Sequence, residues 1–491
     1  MARGTAWVVA ARMVDRSIGV ISTTILARIL VPADFGLVAM ATAIAAILDL
    51  LGSFGFDLAL IHNQKANRSH YDTAWTFNVL FGIFCAFGLI ALAVPTAKFY
   101  AEPRLVAVMI VLASANFMSG FSNIGVINFR KEMNFRSEFT LLFMRRIVTF
   151  IITVTGAIIL KSYWALIAGM ITGSIVNVAL SYWLQNYRPR FSLAAWRELF
   201  HFSKWMLINN FLYFLIHRGT DFVIGRLNGA AALGIYSVAY EISTMPSTEL
   251  VAPINRVAFP GFSKLAEPEI IADAYLKIFG MIALMIFPTG IGIAAIASPL
   301  VTTILGNKWL GSIPLIQMLA FYGSVSATQT NNGTVCLALG HVRFLTWTAI
   351  SFLAVLLPSL AYFVHARGVH GAGYAFILAQ VINFPLSFII LQKLIPIYWN
   401  DLFKRGWRPL VGATLMFLTV SKSVAIMALA GWLAGLQLIV GIALGTSTYL
   451  FTVLLLWWLS KKPAGAETYV LEFIFSKYQS FFNVMSSARR R

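Results

Sequence analysis

Apolar runs of about 20 residues, each bounded by a short polar break, recur along the whole chain. A run of that length as a helix matches the ~30 Å hydrocarbon core of a bilayer. The pattern predicts fourteen spans, near 5–30, 35–60, 73–97, 105–128, 138–160, 163–185, 204–226, 231–255, 275–304, 313–338, 342–364, 371–392, 409–430 and 436–459. The division of 409–459 around Lys422 stays open. The first run departs from the others. At 100° per residue, Thr5, Arg12, Asp15, Arg16, Gly19, Ser22 and Thr23 fall on one arc of roughly 120°, opposite Val14, Ile18, Ile21 and Ile25. Each Arg or Asp near the bilayer centre costs about 2.5–3.5 kcal/mol. Such a helix cannot face lipid all round, so its polar arc must face a partner or a water-filled cavity.

Composition agrees with the pattern. Of 491 residues, 59% are hydrophobic and only 11% charged, against about 25% charged in soluble domains; mean hydropathy is +0.80. The fold class is therefore all-α, polytopic and membrane-embedded. Cys85 and Cys336, the two cysteines, both sit inside apolar runs, which excludes a disulfide framework or a thiolate metal cluster. A net charge of +19 raises the question of nucleic acid, but the basic residues lie in short loops between spans. Of the 37 Lys and Arg, 24 fall on the side of the termini, 8 on the opposite side and 5 inside spans. That bias places both termini in the cytoplasm and predicts no nucleic-acid partner. The first segment is too long and too charged for a signal peptide.

The chain also repeats. Residues 28–41, RILVPADFGLVAMA, align without gaps on 226–239, RLNGAAALGIYSVA, at an offset of 198, with Arg, Ala, Gly and Ala identical. A second echo pairs WRELFHFSKW (196–205) with WNDLFKRGWR (399–408), each suited to lying in the membrane interface. The first of these stretches follows the sixth span and the second follows the twelfth; six is even, so the two halves insert with the same orientation. The expected domains are a six-helix bundle over 1–190, a linker over 191–203, a second bundle over 204–394 and a linker over 395–408. An added helix pair over 409–459 and an amphipathic, basic cytoplasmic tail over 460–491 complete the chain.

Buried charge marks the candidate site. Arg12 and Arg16 with Asp15 leave a net positive arc that pairing within the helix cannot neutralise. Arg145 and Arg146, on the fifth span, either reach into the same cavity or snorkel to the cytoplasmic headgroups. Arg218 and Asp221, three apart on the seventh span, either line the cavity or form a structural pair across one turn. Asp49 on the second span and Glu241 on the eighth add carboxylates. An excess of guanidinium inside a membrane suits an anionic substrate, because Arg keeps its charge there and grips phosphate bidentately. Asp15, Asp49, Asp221 or Glu241 either carry a coupling proton or sodium ion or tune the arginines. No Walker loop, metal-binding cluster, dinucleotide turn or soluble catalytic domain is present in the sequence. The expectation is a non-enzyme with no catalytic residue, no metal and no cofactor beyond possible H+ or Na+ coupling.

Several stretches carry a family resemblance: LARILVPADFGLVAMATAI (26–44), INFRKEMNFRSEF (127–139), YWALIAGMITGSIV (163–176), DFVIGRLNGAAALGIYSVAYEIS (221–243), ILGNKWLGSIPLIQMLA (304–320) and CLALGHVRFLTW (336–347). Over about residues 5–400 the chain resembles the polysaccharide transporter family, the oligosaccharide flippases of the multidrug/oligosaccharidyl-lipid/polysaccharide superfamily. The resemblance implies two six-helix bundles in a V around a cavity, alternating access, and a location in the bacterial inner membrane. It also implies a substrate: an undecaprenyl-pyrophosphate-linked oligosaccharide moved to the periplasmic leaflet during exopolysaccharide or lipopolysaccharide biosynthesis. A polymerase and a chain-length regulator of the same pathway are the implied partners, beside membrane lipids.

Other readings compete. A lipid II-type flippase shares the fold and a cationic cavity. A cation-coupled multidrug exporter shares the fold, but its substrates favour excess acid over excess arginine. A polytopic polymerase or ligase would need a large extracytoplasmic catalytic loop, and the loops here are all short.

Overall fold

The computed structural model describes residues 2–52, 60, 66–132, 134–196, 204–265, 267–463 and 465–472, with 2–14, 51–52, 135, 204–210 and 342 described by backbone alone. All regular structure among the described residues is helical. The chain forms two compact units: Met1–Ser237 with Ile304–Lys308 and Val364–Val369, and Val238–Thr303 with Trp309–Phe363 and His370–Arg491.

The first unit contains α1 (Ala2–Ile29), α2 (Pro32–Gly52), α3 (Arg68–Tyr100), α4 (Arg104–Gly120), α5 (Ile127–Lys131), α6 (Phe135–Leu160) and α7 (Trp164–Leu184). It also holds most of α8 (Lys204–Pro246), which breaks at Gly229, where φ of 79° and ψ of −176° favour glycine. The second unit holds the end of α8, then α9 (Ala252–Phe262), α10 (Pro268–Ala295), α11 (Ala297–Leu300), α12 (Ile313–Ala338), α13 (Val342–Arg367), α14 (Gly371–Gln392), α15 (Trp399–Leu429) and α16 (Ala434–Leu459). The last turn of α13 clusters with the first unit.

Against the expected fourteen spans, ten helical stretches among the described residues are long and apolar enough to cross a membrane, or eleven counting one bent pair. Two of the ten run for 52 and 50 residues, about 75 Å as continuous helix, and a bilayer core takes less than half of that. Gly229 and Gly368, both at positive φ, interrupt these two stretches. The charged α1 falls outside the ten.

The fourth expected span is not one helix. It turns by 64° between Arg104–Gly120 and Ile124–Lys131. Asn123, fully buried, holds the bend: its Oδ1 accepts from the Gly125 amide at 2.9 Å, and its Nδ2 donates to the Tyr187 carbonyl at 2.7 Å. Its own amide donates to Ser181 Oγ at 2.9 Å. A side chain that satisfies freed backbone groups at a break is what permits a kink at membrane depth.

Small residues bring helices together where apolar area gives no advantage over lipid. A Cβ on Gly82 of α3 would stand 2.9 Å from Gly120 Cα of α4, and one on Gly173 of α7 3.1 Å from Thr149 Oγ1 of α6. The tightest approach lies on the repeat. A Cβ on Gly36 would overlap the Ala230 carbonyl oxygen, and one on Gly234 the Pro32 carbonyl oxygen. The same two atoms would stand 2.9 Å from Gly234 N and 3.0 Å from Gly36 N. Pro32 and Ala230, like Gly36 and Gly234, are equivalent at the offset of 198. The contact is therefore reciprocal: each half presents the same backbone to the other, as at a local two-fold axis.

After α7 the chain runs extended along the start of α3. Asp72 Oδ1 accepts from Tyr187 Oη at 2.7 Å and from the Arg190 amide at 2.9 Å, and Thr76 Oγ1 accepts from the Ser192 amide at 3.0 Å. Most of the interfacial stretch expected at 196–205 lies outside the described residues. Its counterpart at 399–408 forms the first turns of α15 and runs without a break into the span that follows.

In the second unit, α15 and α16 pack on α10 through Ile282, Ile286, Ala413, Met416, Val420 and Val453. Tyr449 Oη donates to the Leu284 carbonyl at 2.8 Å. Beyond α16 the chain folds back, and Glu467 meets Arg408 Nε at 2.8 Å with both side chains 4% exposed.

Candidate functional site

The charged arc of α1 lies against α6. Arg146 Nε stands 3.3 Å from Asp15 Oδ1, and a Cβ on Gly19 would lie 2.7 Å from Arg146 Nη2. The guanidinium therefore crosses α1 in the notch that Gly19 leaves, one helical turn from the carboxylate it pairs with. Arg16 is half-buried beside this pair, and the side chain of Arg12 lies outside the described residues. The pair is open to its surroundings, with Asp15 63% and Arg146 37% exposed, so it stays available to a further anion.

Arg145 points to a different partner. Its Nη1 donates to Asn177 Oδ1 of α7 at 3.4 Å, and Asn177 Nδ2 donates to Ser122 Oγ, at the end of α4, at 2.9 Å. Adjacent residues on a helix diverge by 100°, so Arg145 and Arg146 reach two neighbouring helices from one turn of α6. These contacts tie Arg146 to α1 and Arg145 to α7. Asn177 and Ser122 were missed in the sequence because neither is charged. The signal was the lone amide in the apolar run ITGSIVNVAL.

Arg218 and Asp221 pair across one turn of α8 at 3.1 Å, the carboxylate 6% and the guanidinium 41% exposed. Phe222, beside this pair, stacks on Tyr100 of α3 at 6.3 Å between ring centroids, and Tyr100 in turn covers Gly225. Asp49 is exposed on α2, with Cys85 Sγ 4.0 Å from its Oδ1. Glu241 is exposed and belongs to the second unit. The structure thus joins Asp15 to Arg146 and Arg218 to Asp221, and holds Arg145 through Asn177. Among the described residues, no group of three or more His, Cys, Asp or Glu is placed to hold a metal.

A second polar set, uncharged, threads α10, α12 and α14. Tyr275 Oη donates to Asn332 Oδ1 at 2.7 Å, Gln329 Nε2 to Ser387 Oγ at 2.7 Å, and Gln380 Nε2 to Gln329 Oε1. Asn331 is fully buried with its Oδ1 unpartnered. The sequence marks it as the polar run TQTNN in the middle of an apolar span.

A family model described as polysaccharide biosynthesis protein matches residues 25–314, more than half of the chain. The chain belongs to that family. Lipopolysaccharide biosynthesis protein WzxC of Escherichia coli (strain K12) is 25% identical over 79% of this chain and 80% of its own length. Succinoglycan biosynthesis transport protein ExoT of Rhizobium meliloti (strain 1021) is 23% identical over 92% of each. Among solved structures, lipid II flippase MurJ in its inward closed conformation superposes with a TM-score of 0.70 over 91% of this chain and 98% of that one, at 11% identity. The family member described here is thus a multi-pass membrane protein whose fold is like that of MurJ.

Proposed function

We propose that this protein is a flippase that carries an undecaprenyl-pyrophosphate-linked oligosaccharide from the cytoplasmic to the periplasmic leaflet by alternating access. The supporting observation is the cationic surface on α1 and α6, where Arg146 rests on Asp15 and Gly19 while Arg145 is held by Asn177. Arg12, Arg16, Arg145 and Arg146 would take the diphosphate and acidic sugars, with Arg218 contributing through its exposed guanidinium. Guanidinium suits this role because it keeps its charge and its fork geometry in low dielectric. The lipid tail would remain in the bilayer.

Coupling to a proton or sodium ion would use one of Asp15, Asp49, Asp221 and Glu241, since one charge moved through 100 mV is worth about 2.3 kcal/mol. The working domain scheme keeps bundles over 1–190 and 204–394, in the bacterial inner membrane with both termini cytoplasmic. The loop-charge bias supports that orientation. The polymerase and chain-length regulator of the same pathway would receive the product.

The test is a chromosomal deletion complemented with wild type or with Arg145→Ala/Arg146→Ala, followed by leaflet-resolved assay of lipid-linked repeat units. The expected result is accumulation in the cytoplasmic leaflet for both the deletion and the double variant. Full surface polysaccharide in the deletion strain would overturn the reading.

A further inference from the structure

Of the four carboxylates in the charged set, Asp221 is the one drawn inside. Its side chain is 6% exposed, whereas Asp15 is 63% exposed and Asp49 and Glu241 both lie open. Its counterion is not buried with it: Arg218 stays 41% exposed while Nη1 reaches Asp221 Oδ2 at 3.1 Å.

The surroundings come from α3 and α2. A Cβ on Gly225, one turn beyond Asp221 on the same face of α8, would stand 2.6 Å from Tyr100 Cε1 and 3.2 Å from Met40 Cε. Phe222 stacks on the Tyr100 ring at an interplanar angle of 20°. Tyr100 is thus wedged a turn from the carboxylate, whose charge acts on its hydroxyl. Yet Tyr100 Oη is buried without a hydrogen-bond partner, as is the Oγ1 of Thr220, the residue before Asp221. A buried hydroxyl left unpaired is costly, and a second arrangement that pairs it accounts for its place here.

Few other charges act on this spot. On α8, His217 lies against Tyr213 at 4.2 Å and Arg226 over Phe99 at 5.7 Å. On α3, the exposed Lys98 precedes Tyr100 by two residues. On α2, Asp34 and Asp49 lie six and nine positions from Met40, about 9 and 14 Å along the helix. A metal cation suits the carboxylate poorly, because a guanidinium already stands against it. A proton needs no ligand shell.

We propose that Asp221 is a proton switch on Arg218. Ionised, it holds the guanidinium. On taking one proton from water at Oδ2 it gives up the ion pair and donates to Tyr100 Oη, which leaves Arg218 to the diphosphate. The proposal rests on the flippase reading, within which it gives Asp221 the task of tuning an arginine. Proton and diphosphate then favour one another by linkage: binding tightens as pH falls through the titration of Asp221 and weakens as pH rises through it.

Full-length protein in phosphatidylcholine nanodiscs would be titrated with undecaprenyl diphosphate between about pH 8 and about pH 5. The phosphates titrate as well, so each variant is read against the wild-type curve. Wild type should gain about tenfold in affinity toward low pH relative to Asp221→Asn. Asp221→Asn should bind tightly across the range, Arg218→Gln weakly across it, and His217→Gln as wild type does. Tyr100→Phe should keep the response but move it to lower pH, because the neutral carboxyl loses its acceptor. An Asp221→Asn curve parallel to wild type overturns the proposal, as does a response abolished by His217→Gln. Should Asp221→Asn fail to fold, Tyr100→Phe decides: a curve that superimposes on wild type overturns the switch. A response to Na+ at fixed pH that Asp221→Asn removes would make sodium the ligand and overturn it too. Loss of the flippase reading would register separately, as pH-linked diphosphate binding in a protein that moves no oligosaccharide.

Discussion

Two polar sets, one in each unit, meet the problem of polar groups in a membrane protein in opposite ways. In the first, the polar atoms are charged and left partly open: Asp15 and Arg146 are 63% and 37% exposed. In the second, on α10, α12 and α14, the polar groups are uncharged and drawn inside, with Tyr275, Asn331, Asn332, Gln380 and Ser387 all buried. A buried amide network contributes stability only when its members are satisfied, and each broken link costs more than the bond contributed. An exposed ion pair contributes little to stability, and its charge remains available. Under the proposed function, ligand work falls to α1 and α6 and helix registration to α10, α12 and α14.

The sharpest way to break this contrast is Arg145→Ala/Arg146→Ala. Transport should fall about a hundredfold, as for two charge-assisted contacts each worth ~1.5 kcal/mol, while the melting temperature stays near wild type. A large drop in thermal stability at unchanged turnover per folded molecule would reverse the assignment. Gln329→Leu tests the other side. It strands Gln380 and Ser387, so unfolding should become easier by about 1–3 kcal/mol, read by thermal denaturation in detergent, with transport per folded molecule preserved. Normal stability combined with lost transport would make the uncharged network part of the ligand path.

Asn177→Ala should release Arg145 without removing its charge. The expectation is a loss of about three- to tenfold in transport, the equivalent of one hydrogen bond, and Asn177→Asp should restore part of it. Equal losses in both variants would mean that the amide serves packing alone. The smallest effect belongs to Asp15→Asn combined with Arg146→Gln in a double-mutant cycle on stability. Because the pair is exposed, coupling below about 1 kcal/mol is expected; a value several times larger would show it to be structural.

Much of this was legible along the chain. Helix positions followed from apolar run length, since few other structures satisfy backbone hydrogen bonds in lipid. The repeat was legible at Gly36 and Gly234, because only a residue without a side chain tolerates the backbone approach seen there. Arg145 and Arg146 were visible as charges, but their divergence to α7 and α1 was not, since adjacency on a helix does not reveal which neighbour each side chain meets. The bend after Gly120 was hidden as well. Asn123 holds it through Tyr187, 64 residues away.

The opening helix marks where the two levels of information part. By itself the sequence determined that α1 carries too much charge to face lipid, because the cost of burying unpaired ions depends on composition alone. It also determined that the chain is a multi-pass, all-helical membrane protein and that residues 28–41 recur at 226–239. Only the tertiary structure decided that Gly19 opens a notch for Arg146, that Asp15 meets it there, and that Asn177 holds the arginine beside it. Pairing of that kind depends on which helices adjoin, and close packing sets that across the fold, not the local pattern of any one helix.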